Sequence, residues 1–287
     1  MKIKDKMDWH KIYTAETPVP YMQFSLAKEY TTPDFSIKYF RPLLKKLYKD
    51  LQRPLNIMDL GASYGIISTL ILKDISWEDL IHFYVANSHS SEEIERFYKN
   101  LVHDDKYKFY LVDASHPAMK FMNKVGACEK AFTFDLQQNN LKDELREVIK
   151  QIDIFTIVGA INYIETSFFN KILEISCELN KMPLIAIAAY PILYEDVMSI
   201  QFEKLLEQYD YQIIKGEKSG IGRRASPKEH NIILEEGKYK QYPICQHERI
   251  GYFSASFYLA VHQSQSQDLL VWLRRLESGL NFEIKDI

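Results

Sequence analysis

The segment Asp59-Leu60-Gly61-Ala62-Ser63-Tyr64-Gly65 stands between two apolar runs, Leu55–Leu60 and Ile66–Leu72, and is the stretch best suited to hold a small ligand. Glycines let the backbone approach a bound molecule closely, and a turn at the carboxyl end of a strand is where open α/β sheets bind ligands. The spacing is not the Gly-x-Gly-x-x-Gly of a dinucleotide site, and no Lys-Ser/Thr pair follows Gly65 as in a P-loop. A plain strand-to-helix corner would use the same glycines. Three carboxylates take matching places: Asp59, Asp113 and Asp135 each end an apolar run, and Gly159-Ala160-Ile161-Asn162-Tyr163 ends a fourth. If the runs are parallel strands, all four ends share one rim. A carboxylate at the second end suits a ribose diol, and an acid at the third suits an adenine amino group. As aspartates before helices, Asp113 and Asp135 also qualify as simple N-caps.

The elements that must position these residues follow from the hydrophobic pattern. Strands are predicted at Leu55–Leu60, Lys108–Asp113, Lys130–Asp135, Ile152–Gly159, Pro183–Tyr190, Tyr211–Lys215 and Gly251–His262, with helical patterns between most of them. The fifth run has no polar alternation, as expected of a strand buried on both faces. Strands alternating with helices predict an α/β fold: a Rossmann-like, doubly wound, mostly parallel seven-stranded sheet. The expected division is a helical cap or lid over 1–54, a ligand-binding domain over 55–263 with a helical insertion at 76–103, and a helical tail over 264–287. Thr17–Tyr21 is expected to be extended because of its prolines, and Gly220-Ile221-Gly222-Arg223-Arg224 to be a flexible basic loop.

Composition narrows the function classes. Among 287 residues, 36 Lys and Arg face 39 Asp and Glu, a net charge of -3, so no bulk positive field exists to hold nucleic acid or an anionic membrane. Cys128, Cys177 and Cys245 form no CxxC pair, and the eight histidines show no HExxH, so no metal site is expected. No apolar run approaches the roughly 20 residues that span a bilayer, and the charged stretch Met1–Lys11 lacks a signal-peptide core. A cytoplasmic location and a small-molecule substrate are the expectations; oligomeric state is left open.

With these residues in this order, the chain resembles the class I S-adenosylmethionine-dependent methyltransferases, whose first motif is an acidic residue followed by Gly-x-x-x-Gly. The resemblance covers about Leu55 to Tyr190. Within that superfamily the chain is similar to a bacterial group of stand-alone, small-molecule methyltransferase-like proteins. The matching features are Ser63-Tyr64-Gly65, the insertion Ser76–His103, Arg223-Arg224 and the aromatic stretch Gly251–Leu259. The spacing from Gly65 to Asp113 is longer than in the commonest members. The resemblance implies S-adenosylmethionine as cofactor, with Gly61, Ser63 and Gly65 near its methionine part and Asp113 on the ribose. It further implies that Asp135 and Leu136 frame the adenine, while Asn162 and Tyr163 face the sulfonium. Asp59, Ala62, Tyr64, Ala114, Gly159 and Ala160 complete the expected cofactor-binding set.

Other side chains carry two readings each. Tyr64, Tyr163 and Tyr190 are either core packing or π faces for a sulfonium; Asn162, Tyr163 and Tyr190 are the candidate catalytic residues. Tyr21 belongs to the presumptive lid, and Arg223 and Arg224 either grip a substrate carboxylate or are solvated. His116, before Pro117, reads as a cap of a strand-to-helix turn, and His230 and His247 are general-base candidates or surface histidines. Three functions are compatible with this set: methyl transfer to a small molecule, cyclisation of the cofactor to azetidine-2-carboxylate with release of methylthioadenosine, and a non-catalytic binding module. A related set within the group performs the cyclisation, and Asn162 stands where many relatives carry glycine. A nucleic-acid methyltransferase is weaker, because Gly159–Tyr163 contains no Asn/Asp-Pro-Pro-Tyr/Phe motif.

Overall fold

A strand of aliphatic residues without polar alternation needs both faces covered, and the chain meets that need with helices on either side of one sheet. The computed structural model describes residues 10–86, 89–138, 140–194, 197–239 and 243–280. The outer parts of the expected cap (1–9) and tail (281–287), and residues 87–88 of the insertion, lie outside the described residues. Helices α1 (His10–Tyr13), α2 (Val19–Ala27) and α3 (Thr32–Leu51) precede β1 (Leu55–Leu60). Between β1 and β2 (Tyr107–Asp113) lie α4 (Ile66–Leu72), α5 (Trp77–Ala86) and α6 (Ser91–Asn100). Then come α7 (His116–Val125), β3 (Lys130–Thr133), α8 (Asp143–Ile149), β4 (Ile154–Val158), α9 (Thr166–Glu178) and β5 (Leu184–Ala189). The chain continues through α10 (Pro191–Tyr194), α11 (Val197–Glu207), β6 (Tyr211–Arg224), α12 (Pro227–Tyr239), α13 (Gln246–Arg249), β7 (Tyr252–His262) and α14 (Gln263–Gly279).

The seven strands form one sheet in the order β3-β2-β1-β4-β5-β7-β6. The pairings among β1 to β5 are parallel, and β7 runs antiparallel to both β5 and β6. The α/β, doubly wound, mostly parallel architecture expected from the sequence is therefore the observed one. Side chains of β5 alternate between two cores: Leu184, Ala186 and Ala188 join Ile57, Phe109 and Leu111, whereas Ile185, Ile187 and Ala189 join Met58, Leu60 and Val112. Helix α3 packs into the first core through Phe35, Tyr39, Leu43 and Leu44, with the Tyr39 ring stacked on Phe257 at 4.5 Å. Helix α7 has a start and stop written in its sequence: the Ser115 side chain accepts from Ala118 N, Pro117 sits in the first turn, and Gly126 ends it in the left-handed conformation.

Two local expectations are corrected. Pro18–Tyr21 is not extended. Pro18 precedes α2 and Pro20 occupies its first turn, where a missing N–H breaks no helical bond. Gly220–Arg224 is not a flexible loop but the end of the 14-residue strand β6, paired with Tyr252–Ala255 of β7. Its glycine marks close approach rather than freedom: a Cβ on Gly222 would lie 2.4 Å from Tyr190 Cε1 and 3.0 Å from Phe253 O. The outer edge at this end is covered by the cap, since Thr31 N and Thr31 Oγ1 donate to Gly222 O and Ile221 O.

Candidate functional site

Strand order reverses on either side of β1 and β4, so their carboxyl ends flank the crevice of the sheet. The turn after β1 holds three left-handed residues in five: Gly61 (φ 71°), Ser63 (φ 53°) and Gly65 (φ 60°). Gly61 N and Ala62 N both donate to Val112 O, at 2.9 and 3.2 Å, which hangs the turn on β2. Both glycines are also required by packing. A Cβ on Gly61 would fall 2.4 Å from Ala160 Cβ across the crevice, and one on Gly65 would fall 2.2 Å from Met122 Cε and 2.9 Å from Leu111 Cδ1. Ser63 holds a conformation unusual for a residue with a side chain; such strain persists where surroundings over-determine it.

The surroundings are supplied by Asp113. One carboxylate oxygen accepts from Ser63 N and the other from Ser115 N, both at 2.8 Å. Asp113 therefore ties the turn after β1 to the turn after β2, and the helix-capping role belongs to Ser115. Each of its oxygens retains a lone pair for a further donor. Burial raises its pKa, against the backbone N–H groups of Ser115, Ser63 and Ala114. Asp59, 3% exposed, accepts from Thr156 Oγ1 at 2.8 Å. Burial pushes its pKa from 3.8 to about 7, Thr156 opposes the shift, and the Asp113 carboxylate adds to it. Two acids thus converge beneath the turn, and the cost of their negative charge favours a cationic or multiply donating partner.

The same shift has a consequence for stability. The folded state of Asp59 holds its proton to higher pH than the unfolded chain, so stability falls as pH rises from about 4 through 7. A shift of this size corresponds to roughly 4 kcal/mol above pH 8. Asp59→Asn keeps an acceptor for Thr156 and removes the titration. Urea unfolding is expected to show the wild type losing stability between pH 5 and 8 relative to the Asn variant. Parallel profiles for the two proteins would contradict the raised pKa.

At the third strand end, Asp135 lies two residues beyond β3, where its Oδ1 accepts from Gln137 N at 3.0 Å. Buried Leu136 accepts Glu165 N at 3.1 Å through its carbonyl, joining this loop to the one after β4. After β4, Gly159 (φ 64°) donates to Ala188 O, Ala160 is 9% exposed, and Ile161–Tyr163 form a single 3-10 turn. Ala114 sits between Asp113 and Ser115 in the second turn. Tyr163 is 39% exposed; Asn162 precedes it in the same turn.

The residues that sequence reasoning missed come from the N-terminal segment. Tyr64 is fully buried, and its single hydroxyl proton is directed at Ala15 O (2.7 Å), with Ile12 O (3.1 Å) also within reach of the same oxygen. Ser115 Oγ donates to Tyr13 O. Residues 12–15 are thereby strapped across the turns after β1 and β2. The Tyr13 ring stacks on Tyr64 at 6.5 Å and lies 6.0 Å from Tyr21, which in turn meets Tyr30 edge-on at 6.5 Å. The Tyr13 hydroxyl lies beside Ser63, whose buried Oγ has no well-formed hydrogen bond. Tyr30 Oη is 3.5 Å from where a Gly159 Cβ would stand, so this ring reaches the turn after β4. Trp77 of α5 donates its indole N–H to Tyr30 O at 2.8 Å, which fixes the insertion against the cap. The available sequence signal was the recurrence of tyrosine every eight or nine residues, at 13, 21, 30, 39 and 48.

Tyr190 closes the cluster. It is 8% exposed, its hydroxyl pairs with Thr32 Oγ1 at 3.0 Å, and its ring stacks on Phe253 at 5.1 Å. Burial raises the pKa of Tyr13, Tyr21, Tyr30 and Tyr190, and lifts Tyr64 to about 12. These phenols stay protonated at neutral pH; they offer π faces and hydroxyl donors rather than bases. Arg223 is 7% exposed and places its fork on Glu229 at 2.7 and 3.1 Å, over the Phe253 ring at 4.4 Å. Arg224 pairs with Glu29 and with Tyr252 Oη. Both guanidinium forks are engaged within the protein, so their evident work is to anchor β6 to its neighbours. Of the histidines, His116 is exposed with Nδ1 3.3 Å from Thr133 Oγ1, and burial keeps His247 on α13 below the ordinary histidine pKa. Among the described residues, no group of three or more His, Cys, Asp or Glu could hold a metal ion. Among the same residues, no helix is long and apolar enough to cross a membrane.

No protein-family model matches the chain, and no curated protein matches it in sequence. Several solved structures show a remote similarity to the chain. The magnesium protoporphyrin IX methyltransferase of Synechocystis PCC 6803 with bound SAM is 12% identical, with a TM-score of 0.41, over 89% of this chain and 89% of that one. The S. pombe Dnmt2 methyltransferase is 14% identical with a TM-score of 0.39, over 77% of this chain and 55% of that one. The plantazolicin methyltransferase BpumL in complex with SAH is 13% identical with a TM-score of 0.36, over 88% of this chain and 93% of that one.

Proposed function

We propose that the chain binds S-adenosylmethionine across the carboxyl ends of β1, β2 and β4 and transfers its methyl group to a small-molecule acceptor. The observation that carries this reading is the placing of buried Asp59 at the end of β1 and of Asp113, which holds Ser63 N, at the end of β2, on either side of a turn of three left-handed residues where strand order reverses. The chemistry of that donor set fits the cofactor. Asp113 accepts the ribose diol with the lone pairs left over from Ser63 N and Ser115 N, and the Asp59 carboxylate faces the methionine ammonium. Ser63 Oγ, buried without a well-formed partner, takes up a polar group of the ligand. Asp135 and Leu136 frame the adenine. When bound, S-adenosylmethionine supplies an electrophilic methyl group on a sulfonium.

The protein's part is then orientation and the exclusion of water. Tyrosine faces attract a sulfonium by roughly 0.5–2 kcal/mol. Asn162, Tyr163 and Tyr190 contact the reacting groups, and Tyr21 lines the acceptor side. Because the buried phenols remain neutral, they position an acceptor and donate hydrogen bonds to it; they do not deprotonate it. The strap over residues 12–15 and the insertion packed against the cap shield the site.

The test is incubation of the purified protein with S-adenosylmethionine alone and with a pool of small metabolites, the products being separated by mass spectrometry. Methyl transfer predicts intact cofactor in the first case and S-adenosylhomocysteine with a methylated metabolite in the second. Methylthioadenosine with matching azetidine-2-carboxylate in the first case would replace methyl transfer by cyclisation. Neither product, with no cofactor retained, would leave only a non-catalytic module.

A further inference from the structure

Among the residues of the turn after β1, Tyr64 is the one whose side chain is spent entirely on another part of the chain. It is buried completely, with its ring against Tyr13, Tyr21 and Phe121. Its hydroxyl reaches two carbonyls of the N-terminal strap, Ile12 O at 3.1 Å and Ala15 O at 2.7 Å. From the neighbouring turn after β2, Ser115 Oγ takes the carbonyl between them, Tyr13 O. Two side chains therefore direct their hydroxyls at three carbonyls within four residues, the Tyr64 proton being shared between two of them. One follows Ser63 directly, and the other donates its own N–H to Asp113. A general packing role would not require this convergence, because α2 and α3 already bury their own apolar residues without it.

We propose that Tyr64 and Ser115 form a latch that positions the strap, so that Tyr13 is carried over Ser63 and Asp113 when the latch is made and leaves them when it is broken. Tyr64 is a positioning residue in this scheme. It acts on a bound ligand through the strap and not by contact. The latch residues lie within two positions of Ser63 and Asp113, so a ligand that fixes those two also fixes the latch, and closure of the strap slows the ligand's departure. Any such linkage is reciprocal: what the strap adds to ligand affinity, the ligand adds to strap closure. The coupling to a ligand rests on the cofactor reading above; the latch itself does not.

The experiment is amide hydrogen exchange of residues 12–16 in full-length wild type and Tyr64→Phe, each without ligand and with saturating S-adenosylmethionine, together with the dissociation rate of that ligand. Phenylalanine keeps the ring and removes only the hydroxyl, whose one proton serves the carbonyls of Ile12 and Ala15. Without ligand, exchange in 12–16 is expected to be about tenfold faster in the variant, with β4 and β5 unchanged. With ligand, the wild-type strap is expected to slow by a further tenfold or more, and the variant to release ligand about tenfold faster. Equal strap exchange in the two unliganded proteins would overturn the latch. A wild-type strap indifferent to bound ligand would overturn the coupling. Failure of the wild type to bind S-adenosylmethionine would overturn the cofactor reading, while the unliganded comparison would still decide the latch. Ser115→Gly repeats the test from the other side, since glycine is tolerated at a helix N-cap at a cost of only a few tenths of a kcal/mol.

Discussion

Asp113→Ala is expected to bind S-adenosylmethionine 100-fold or more weakly than the wild type while remaining folded. A hydrogen bond to a charged group contributes about 1.5–3 kcal/mol net, and a diol makes two. The sum, about 3–6 kcal/mol, is a factor of roughly 10² to 10⁴ in affinity. The fold should survive because the lost carboxylate is one that burial already disfavours in its charged form. The substitution does leave Ser63 N and Ser115 N without their acceptor, at a cost of about 1–3 kcal/mol for each that stays buried. Circular dichroism with thermal unfolding separates the two effects. Wild-type affinity in a folded Ala variant would reduce Asp113 to a tie between two turns.

Gly61→Ala is expected to lose ligand binding and to destabilise the fold by about 2–5 kcal/mol. The added Cβ meets Ala160 Cβ at 2.4 Å, and the residue must hold φ 71°. The left-handed conformation alone costs roughly 1–2 kcal/mol for a residue with a side chain, and overpacking adds typically 1–3 kcal/mol. The partner in the clash is a single methyl group, which makes the geometry directly testable. Adding Ala160→Gly should recover the overpacking share of the loss and leave the conformational share. If the second substitution recovers nothing, the turns after β1 and β4 do not approach as described.

The parts of this arrangement that were legible in the sequence are those written locally. Leu184–Ala189 announces a doubly buried strand by its lack of polar residues, and it is buried on both faces. Asp59, Gly61, Gly65 and Asp113 announce the rim by standing where apolar runs end, and the sheet order brings them to one edge. What failed was whatever depends on distant partners. Gly222, Arg223 and Arg224 read as a mobile loop because two of the three are charged and the third is flexible. They form a strand because Glu229, Phe253 and Glu29 receive them. Pro20 read as a helix breaker although the first turn of a helix tolerates it. Tyr64 read either as core packing or as a ligand face from its place in the motif; the reach of its hydroxyl to a segment some 50 residues away, at Ile12 and Ala15, was not legible. Tyr13 could not have been found by spacing relative to the rim. Only the strap brings it there.

Calorimetric titration of S-adenosylmethionine into the wild type and Asp113→Ala, side by side, tests the central claim most directly. One molecule bound per wild-type chain, with affinity at least 100-fold weaker in the variant, is the predicted result. Absence of binding to the folded wild type, or equal binding by both proteins, would contradict the assignment of the rim between β1 and β2 as the cofactor site.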